Sequence, residues 1–402
     1  MISVAEAIAH VLATARPLLP ELVPLLAANG RILRQNILAD RDFPPFDRVA
    51  MDGVALRFEA LQAGQRNFPI ERVQLAGQPP VPLCNPQAAI EVMTGAALPP
   101  GTDTVIRYED LHLADTNGQR VAHVGTAPPQ AGHHVHRRAA DGLAGALLVA
   151  RGTRLGPAEI AVAATVGATA LAVTRPLRVA VVGTGDEVVP LDHQPLAYQI
   201  RRSNAPMLQA ALAAVGIGST AHHLNDDLAA LRQGLPPLLA AHDAVLLSGG
   251  VSRGRADYLP RVLQELGVAE IFHRVAQRPG MPFWFGRVPG GAVVFALPGN
   301  PVSTFANYYR YVQPWVQHCQ GGAVPPPVFA ALAAPVDFRP QLAYFLPVRL
   351  ESAPDGRLLA HPAPTGGSGD LAGLLAADGL LELPAQPTHF AAGEAFAVWR
   401  FR

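Results

Sequence analysis

The sequence predicts an α/β multidomain protein: a parallel-type sheet, a β-rich inserted lobe and a C-terminal β-barrel. Three observations carry this reading. From Arg178 onward, short apolar runs alternate with helical stretches, the pattern of a mostly parallel sheet. Residues 41–131 are instead rich in Pro, Gly and short alternating segments such as Ile70-Glu71-Arg72-Val73-Gln74-Leu75. Beyond the linker-like run Ala323-Val324-Pro325-Pro326-Pro327, strand-like segments recur, among them Tyr344 to Leu350 and Ala395 to Phe401. At 402 residues the chain is too long for one ordinary core.

Taken in order, Ser3 and Glu6 form a capping-box pattern, and Val4, Ile8, Val11 and Leu12 share one face of a helix over 3–15. A second short helix is expected over 21–28, ended by Gly30. Another is expected over 157–167. The strand Arg178 to Val182 runs into Gly183-Thr184-Gly185-Asp186-Glu187. Helices over 205–214 and 227–240 precede the strand Ala244 to Leu247, which runs into Ser248-Gly249-Gly250. The strand Val293 to Leu297 ends in Pro298-Gly299-Asn300-Pro301, and a helix follows to about Gln317.

Composition excludes several classes. The formal net charge is zero, so no nucleic-acid or polybasic membrane surface is expected. The longest apolar region, Ile160 to Val173, is too short and too rich in Ala, Gly and Thr to span a bilayer. Cys84 and Cys319 stand far apart, outside any metal-type pattern, and read as reduced thiols in a cytoplasmic protein. The first residues lack the basic region of a signal peptide. All 31 basic residues are arginine, so an arginine in place of a lysine carries little meaning here.

The chemistry concentrates in loops. Gly183 to Glu187, Ser248 to Asp257 and Pro298 to Ser303 each follow a strand of the βα region and should share the carboxyl edge of one sheet, where open α/β sheets bind ligands. Their backbone N–H groups suit phosphate oxygens. Asp186, Glu187, Asp226, Asp227 and Asp257 add carboxylates, which beside a phosphate call for a bridging Mg²⁺. The plainer reading of Asp226 and Asp227 is the cap and first turn of a helix. Two further loops, Phe43 to Gly53 with Asp47 and Asp52, and Met93 to Asp103 with Thr94, present polar groups held by Pro and Gly, and taken by themselves they read as hairpin connections. His133, His134, His136, His222 and His223 have no partner at ligand spacing and read as ordinary histidines.

Together these segments resemble the molybdopterin molybdenumtransferase family, the bacterial molybdenum insertase similar to the E domain of gephyrin. The matching pieces are Phe43 to Gly53, Met93 to Asp110, Gly152 to Gly167, Arg178 to Glu187, Ser248 to Tyr258, Arg278 to Gly286, Leu297 to Ser303, and the tail Gly367-Ser368-Gly369 with Leu374 to Leu380. The resemblance implies a split first domain (1–40 and 132–174), a β-rich lobe (41–131), a molybdopterin-binding-like α/β domain (175–322) and a C-terminal barrel (323–402). It implies a homodimer that binds adenylylated molybdopterin, inserts molybdate at the dithiolene and releases AMP with Mg²⁺, in a cleft shared between subunits. Partners in its pathway would be a molybdopterin adenylyltransferase and molybdoenzyme targets. Asp52, Thr94, Asp141, Glu187, Asp226, Asp257 and Arg278 fall on catalytic positions, with Glu187 and Asp257 as metal ligands. Gly183, Thr184, Gly185, Ser248, Gly249, Gly250, Pro298, Gly299, Asn300, Ser303 and Ser368 fall on binding positions.

Three departures stand out. Where the family shows Lys-Pro-Gly-Lys-Pro, this chain reads Arg278-Pro279-Gly280-Met281-Pro282; Pro347 replaces a common arginine and Val54 an aromatic tyrosine. The Met281 and Pro347 changes remove positive charge where molybdate is expected, leaving Ser368 and Arg349 nearby. An insertase with an altered oxyanion site is therefore weighed against a paralogue that carries molybdopterin without inserting metal, and against a structural scaffold.

Overall fold

Alternating apolar residues on short strands build the central sheet. The computed structural model describes all residues except 117, 252–257, 323–325 and 364. Its chain divides into two compact units: residues 1–34, 152–156 and 170–402, and residues 35–151 with 157–169.

In the first unit a six-stranded sheet runs in the order Ser219–Leu224, Val179–Thr184, Ala244–Ser248, Val293–Leu297, Trp284–Arg287, Ala269–His273. The first four strands are parallel and the last two antiparallel. Val179, Val181, Leu246 and Phe295 face one layer, which includes the helix Asn204–Ala214 and an aromatic cluster of Phe283, Phe285 and Trp315. Ala180, Val182, Val245, Leu247 and Val294 face the other, against the helices Leu228–Ala241 and Leu259–Glu265. This alternation, with apolar residues on both faces, marks a sheet covered on both sides.

Five strands, Val328–Leu332, Ala343–Ser352, Leu358–Pro362, Gly379–Leu383 and Ala395–Arg400, pair in a ring and close the C-terminal barrel. Val348, Ala360, Leu381 and Phe390 fill its core. The second unit carries a six-stranded sheet in the order Thr104–Arg107, Gly53–Leu56, Ala89–Val92, Asn67–Gln74, Gln119–Val124, Leu111–Thr116, as the alternating segments of this region predict. Among the described residues, no helix is long and apolar enough to cross a membrane.

The N-terminal helix Val4–Ala13 has the capping box: Ser3 and Glu6 bond each other's backbone N–H. The expected helix over 21–28 does not form. Pro20–Pro24 is a strand antiparallel to Ala170–Thr174, followed by a single 3₁₀ turn, Leu25–Ala28. Pro24 has no N–H to donate to the first intrahelical bond of a helix starting at Glu21, and the strand partner Ala170–Thr174 takes the backbone bonds instead. The helix after Asn300 is also not continuous. Pro301–Asn307 passes into a π turn, Tyr308–Val312, before Gln313–Gln320 resumes α geometry.

At the amino edge of the sheet, Asp243 accepts from both Arg175 and Arg178 at 2.8–3.2 Å and from the Arg178 backbone N–H at 2.9 Å. Burial pushes its carboxyl up, but these bonds outweigh burial and hold it well below the usual carboxylate range. A carboxyl depressed in the folded state stabilises the fold above its unfolded pKa and loses that contribution as pH falls through the folded one. Asp243→Asn should therefore lower stability by about 2 kcal/mol at neutral pH. In denaturant unfolding, the gap from wild type should shrink steadily as the pH is taken below about 4.

Candidate functional site

Parallel register brings three loops to one place. Thr184, Ser248 and Leu297 end adjacent strands, with Gly183 opposite Ser248 and Ser248 opposite Leu297. The loops that follow are tied to one another. The Gly249 N–H donates to the Leu297 carbonyl at 3.1 Å, and the Asn204 amide donates at 2.8 Å to both Ser248 Oγ and the Gly299 carbonyl. Gly249 has φ +106°, and a Cβ there would stand 2.6 Å from Thr184 Oγ1, so only glycine permits the closeness of these two loops. Gly183, Thr184, Gly185, Ser248, Gly249, Gly250, Pro298 and Gly299 thus lie on one sheet edge, as the βα alternation predicts.

Carboxylates border this edge. Asp186 Oδ1 accepts from the Asp226 N–H at 3.4 Å. The Glu187 carboxylate lies over Gly185, 2.7 Å from where a Cβ would be. Asp227 caps the helix Leu228–Ala241 through the N–H groups of Ala229 and Ala230, the plainer of its two readings. Asp257 lies outside the described residues. Among the described residues, no group of three or more His, Cys, Asp or Glu side chains gathers around one point. The edge nevertheless offers hard oxygen donors on neighbouring loops. That suits Mg²⁺, which usually takes one or two protein carboxylates and completes its shell with phosphate and water.

Beside the edge lies a cavity of about 720 Å³ whose lining includes Arg278, Met281, Asn300, Ser303, Pro347 and Ser368. Sequence reading expects the oxyanion there, and these residues do converge. Asn300 donates to Ser368 Oγ at 3.0 Å, and the Val302 N–H donates to the Ser368 carbonyl at 3.1 Å. Among the described lining residues Arg278 is the one cation, and it makes no ion pair among the described residues. The one carboxylate of the lining, Asp337, is paired with His389 at 2.8 Å. Arg349 does not line the cavity and pairs with Glu351 at 3.1 Å, so it leaves the set expected near the oxyanion.

The cavity wall is held from behind by a buried polar network that sequence reading missed. Gln277 Nε2 donates to Asn307 Oδ1 at 2.6 Å and to the Pro279 carbonyl at 3.1 Å. Asn307 Nδ2 donates to the Gly280 carbonyl at 3.2 Å, and the Tyr311 hydroxyl donates to Gln277 Oε1. Gln277 and Asn307 are fully buried. Gly280, at φ +92°, leaves no room for a Cβ, which would fall 2.6 Å from Asn307 Oδ1. Arg274 was also missed. Its guanidinium donates to Met281 Sδ at 3.2 Å, so a cation does stand against the position that lost one.

The sequence comparisons agree with this architecture. Three family models match in order: the MoeA N-terminal region (domain I and II) over residues 2–167, a probable molybdopterin binding domain over 180–318, and the MoeA C-terminal region (domain IV) over 330–401. A molybdopterin molybdenumtransferase of Synechocystis sp. is 36% identical over 372 residues, 92% of each chain. The chain belongs to the molybdopterin molybdenumtransferase family. Another member, molybdopterin molybdenumtransferase 2 of Mycobacterium tuberculosis, is 32% identical and covers 94% of this chain and 95% of its own. The crystal structure of a molybdopterin biosynthesis moea protein from Pyrococcus horikosii superposes with a TM-score of 0.84 at 30% identity, covering 100% of this chain and 99% of that one.

The remaining residues assigned by resemblance to this family lie in the second unit. Asp52 Oδ1 accepts from the Thr94 N–H at 2.6 Å and its hydroxyl at 2.7 Å, bonds that hold the Asp52 carboxyl below its ordinary range. The pairing of Gly53 with Val92 brings the ends of the two strands together, and Asp52 and Thr94 lie just beyond that pair. Asp141 meets His136 at 2.9 Å, and the other ring nitrogen of His136 meets Arg48 at 3.0 Å. A carboxylate partner for His136 was not expected. The short strand Val135–His136 sets His136 opposite Arg48, and the Asp141 N–H donates to the Phe43 carbonyl at 2.9 Å. Asp47 is tied to Arg137 at 2.7 Å and to the Arg138 N–H at 2.8 Å, which fixes its loop.

Gln277→Leu should remove one acceptor and two donors from a buried network, leaving the Tyr311 hydroxyl and Asn307 Oδ1 without the partners they have in wild type. Equilibrium unfolding in urea should show a loss of about 2–4 kcal/mol.

Proposed function

We propose that this protein carries out a late step of molybdenum cofactor biosynthesis: Mg²⁺-dependent insertion of molybdate into adenylylated molybdopterin with release of AMP. Family membership supports the pathway and the transferase class. The observation that carries the finer reading is the cavity where Arg278, Ser303 and Ser368 meet beside the tied glycine loops. A tetrahedral dianion needs donors converging from several sides. Arg278 supplies a fixed charge. The Ser368 hydroxyl accepts from Asn300, which leaves its own proton free for an oxyanion. Tyr344 also lines the cavity; burial pushes its hydroxyl up, more than the nearby Arg278 lowers it, so it stays a neutral donor.

The adenylate is assigned to the sheet edge, where the loops after three strands offer backbone N–H groups. Mg²⁺ held by Glu187 and Asp257 would supply the charge that makes a phosphate displaceable. Asp52, Thr94, Asp141 and Asp226 are assigned to the same reaction on the family resemblance. A homodimer and a cytoplasmic location belong to this proposal, with sedimentation at micromolar concentration as the test of the dimer.

The carrier reading has an observation of its own. Met281 and Pro347 contribute no donor to the cavity, so one cation must serve where the resemblance implies more. The two readings separate in an assay with adenylylated molybdopterin, Mg²⁺ and molybdate. An insertase forms cofactor and AMP; a carrier binds the adenylate tightly and forms none at any molybdate concentration.

Two variants sharpen the test. Arg278→Ala should abolish insertion at low molybdate while AMP binding, measured by calorimetry, stays within about twofold. Pro347→Arg places a guanidinium on the wall without meeting Arg274, as a lysine at 281 would. It should lower the half-saturating molybdate concentration about tenfold or more, the worth of one charge-assisted bond. No change with Pro347→Arg in an active enzyme would move the oxyanion site elsewhere.

A further inference from the structure

Asn204 starts the helix that packs beneath the sheet edge, and its side chain has one end in use and one end idle. Nδ2 donates at 2.8 Å to the Gly299 carbonyl and at 2.8 Å to Ser248 Oγ. A carbonyl only accepts, so the amide cannot be turned over, and Oδ1 is fixed on the opposite side. That oxygen is buried and has no hydrogen-bond partner among the described residues. A further buried atom without a partner among the described residues is Nε of Arg202, two residues earlier in the chain. Arg202 also acts electrostatically on His223, which stands opposite Gly183 on the edge strand.

A buried acceptor left unpaired costs about 1–3 kcal/mol. Two unpaired polar atoms two residues apart at this sheet edge, Asn204 Oδ1 and Arg202 Nε, mark a place where a ligand completes the bonding. The phosphates and sulfurs of the proposed substrate carry acceptors only, so its donors are the sugar hydroxyls and the amino-substituted rings. Its amino-substituted nitrogen rings carry a donor and an acceptor side by side, which Asn204 Oδ1 and the Arg202 guanidinium complement. We propose that Asn204 is a specificity residue that accepts a hydrogen bond from an N–H of a fused nitrogen heterocycle. This rests on the insertase reading above. Two rings of that substrate present the required edge, adenine and pterin, and the test separates them.

Full-length wild type and Asn204→Ala are titrated with AMP, with purine riboside 5′-monophosphate, which lacks the amino group, and with molybdopterin. If adenine is read, the variant loses about three- to tenfold in AMP affinity. Its affinity for the deamino analogue then stays unchanged. If the pterin is read, molybdopterin weakens by a similar factor and neither nucleotide does. Equal weakening of AMP and the deamino analogue, which would assign Asn204 to the sugar, or of all three ligands, or of none, overturns the proposal. Should Asn204→Ala not fold, Asn204→Ser keeps a polar group near Ser248 without reaching the ligand, and the same pattern is expected. Wild type that binds none of the three would overturn the insertase reading itself, and this proposal with it.

Discussion

Parallel register between Val179–Thr184, Ala244–Ser248 and Val293–Leu297 is the constraint on which the α/β site depends. Because these strands are adjacent and in step, their following loops leave the sheet at one level and must pack on each other. Gly249 against Thr184 and Asn204 across Ser248 and Gly299 are consequences of that packing. Some of the glycines that read as a phosphate cradle in the sequence therefore serve loop-to-loop contact first. Ligand access is what remains after that contact is made.

The cavity obeys a second rule. Its wall at Arg278 to Pro282 is positioned by neutral, fully buried amides rather than by ion pairs. A neutral network avoids the desolvation cost of buried charge and imposes little field of its own. Among the described residues Arg278 is thus left without an ion pair, available to a dianion rather than spent on the fold. The Arg274 contact with Met281 moderates the charge loss inferred from the sequence. A guanidinium stands at that position from behind, although it does not line the cavity.

Much of this was legible beforehand because period-2 apolar runs ending in glycine-rich loops report strands and their carboxyl ends. The βα order, the alternating segments of the inserted lobe and the tail near Ser368 all carried such local signals. What was hidden depended on distant partners. Gln277 and Asn307 are ordinary amides in the sequence and acquire meaning only when 30 residues of chain bring them together. Asn204 followed an unremarked Arg-Arg-Ser, and nothing local announces a carbonyl at position 299 as its acceptor. The segment from Glu21 misled because its leucines imitate a helical face, while Pro24 and a strand partner at Ala170–Thr174 decide otherwise. The π turn at Tyr308–Val312 has no signature in apolar spacing.

The absence of lysine reaches beyond composition. Every basic partner in the described ion pairs is a guanidinium or an imidazole, and a guanidinium does not deprotonate in proteins. The buried groups that would ionise in base are pushed the same way. Burial raises the Tyr308 and Tyr311 hydroxyls far above their ordinary range and the Cys319 thiol to about 12. The electrostatics of this fold therefore have an acid limb, set by carboxylates such as Asp243, and almost no alkaline one. The chain also offers no side-chain amine to carbonyl compounds or acyl donors, so its cationic surface is chemically inert where a lysine-bearing surface would be reactive.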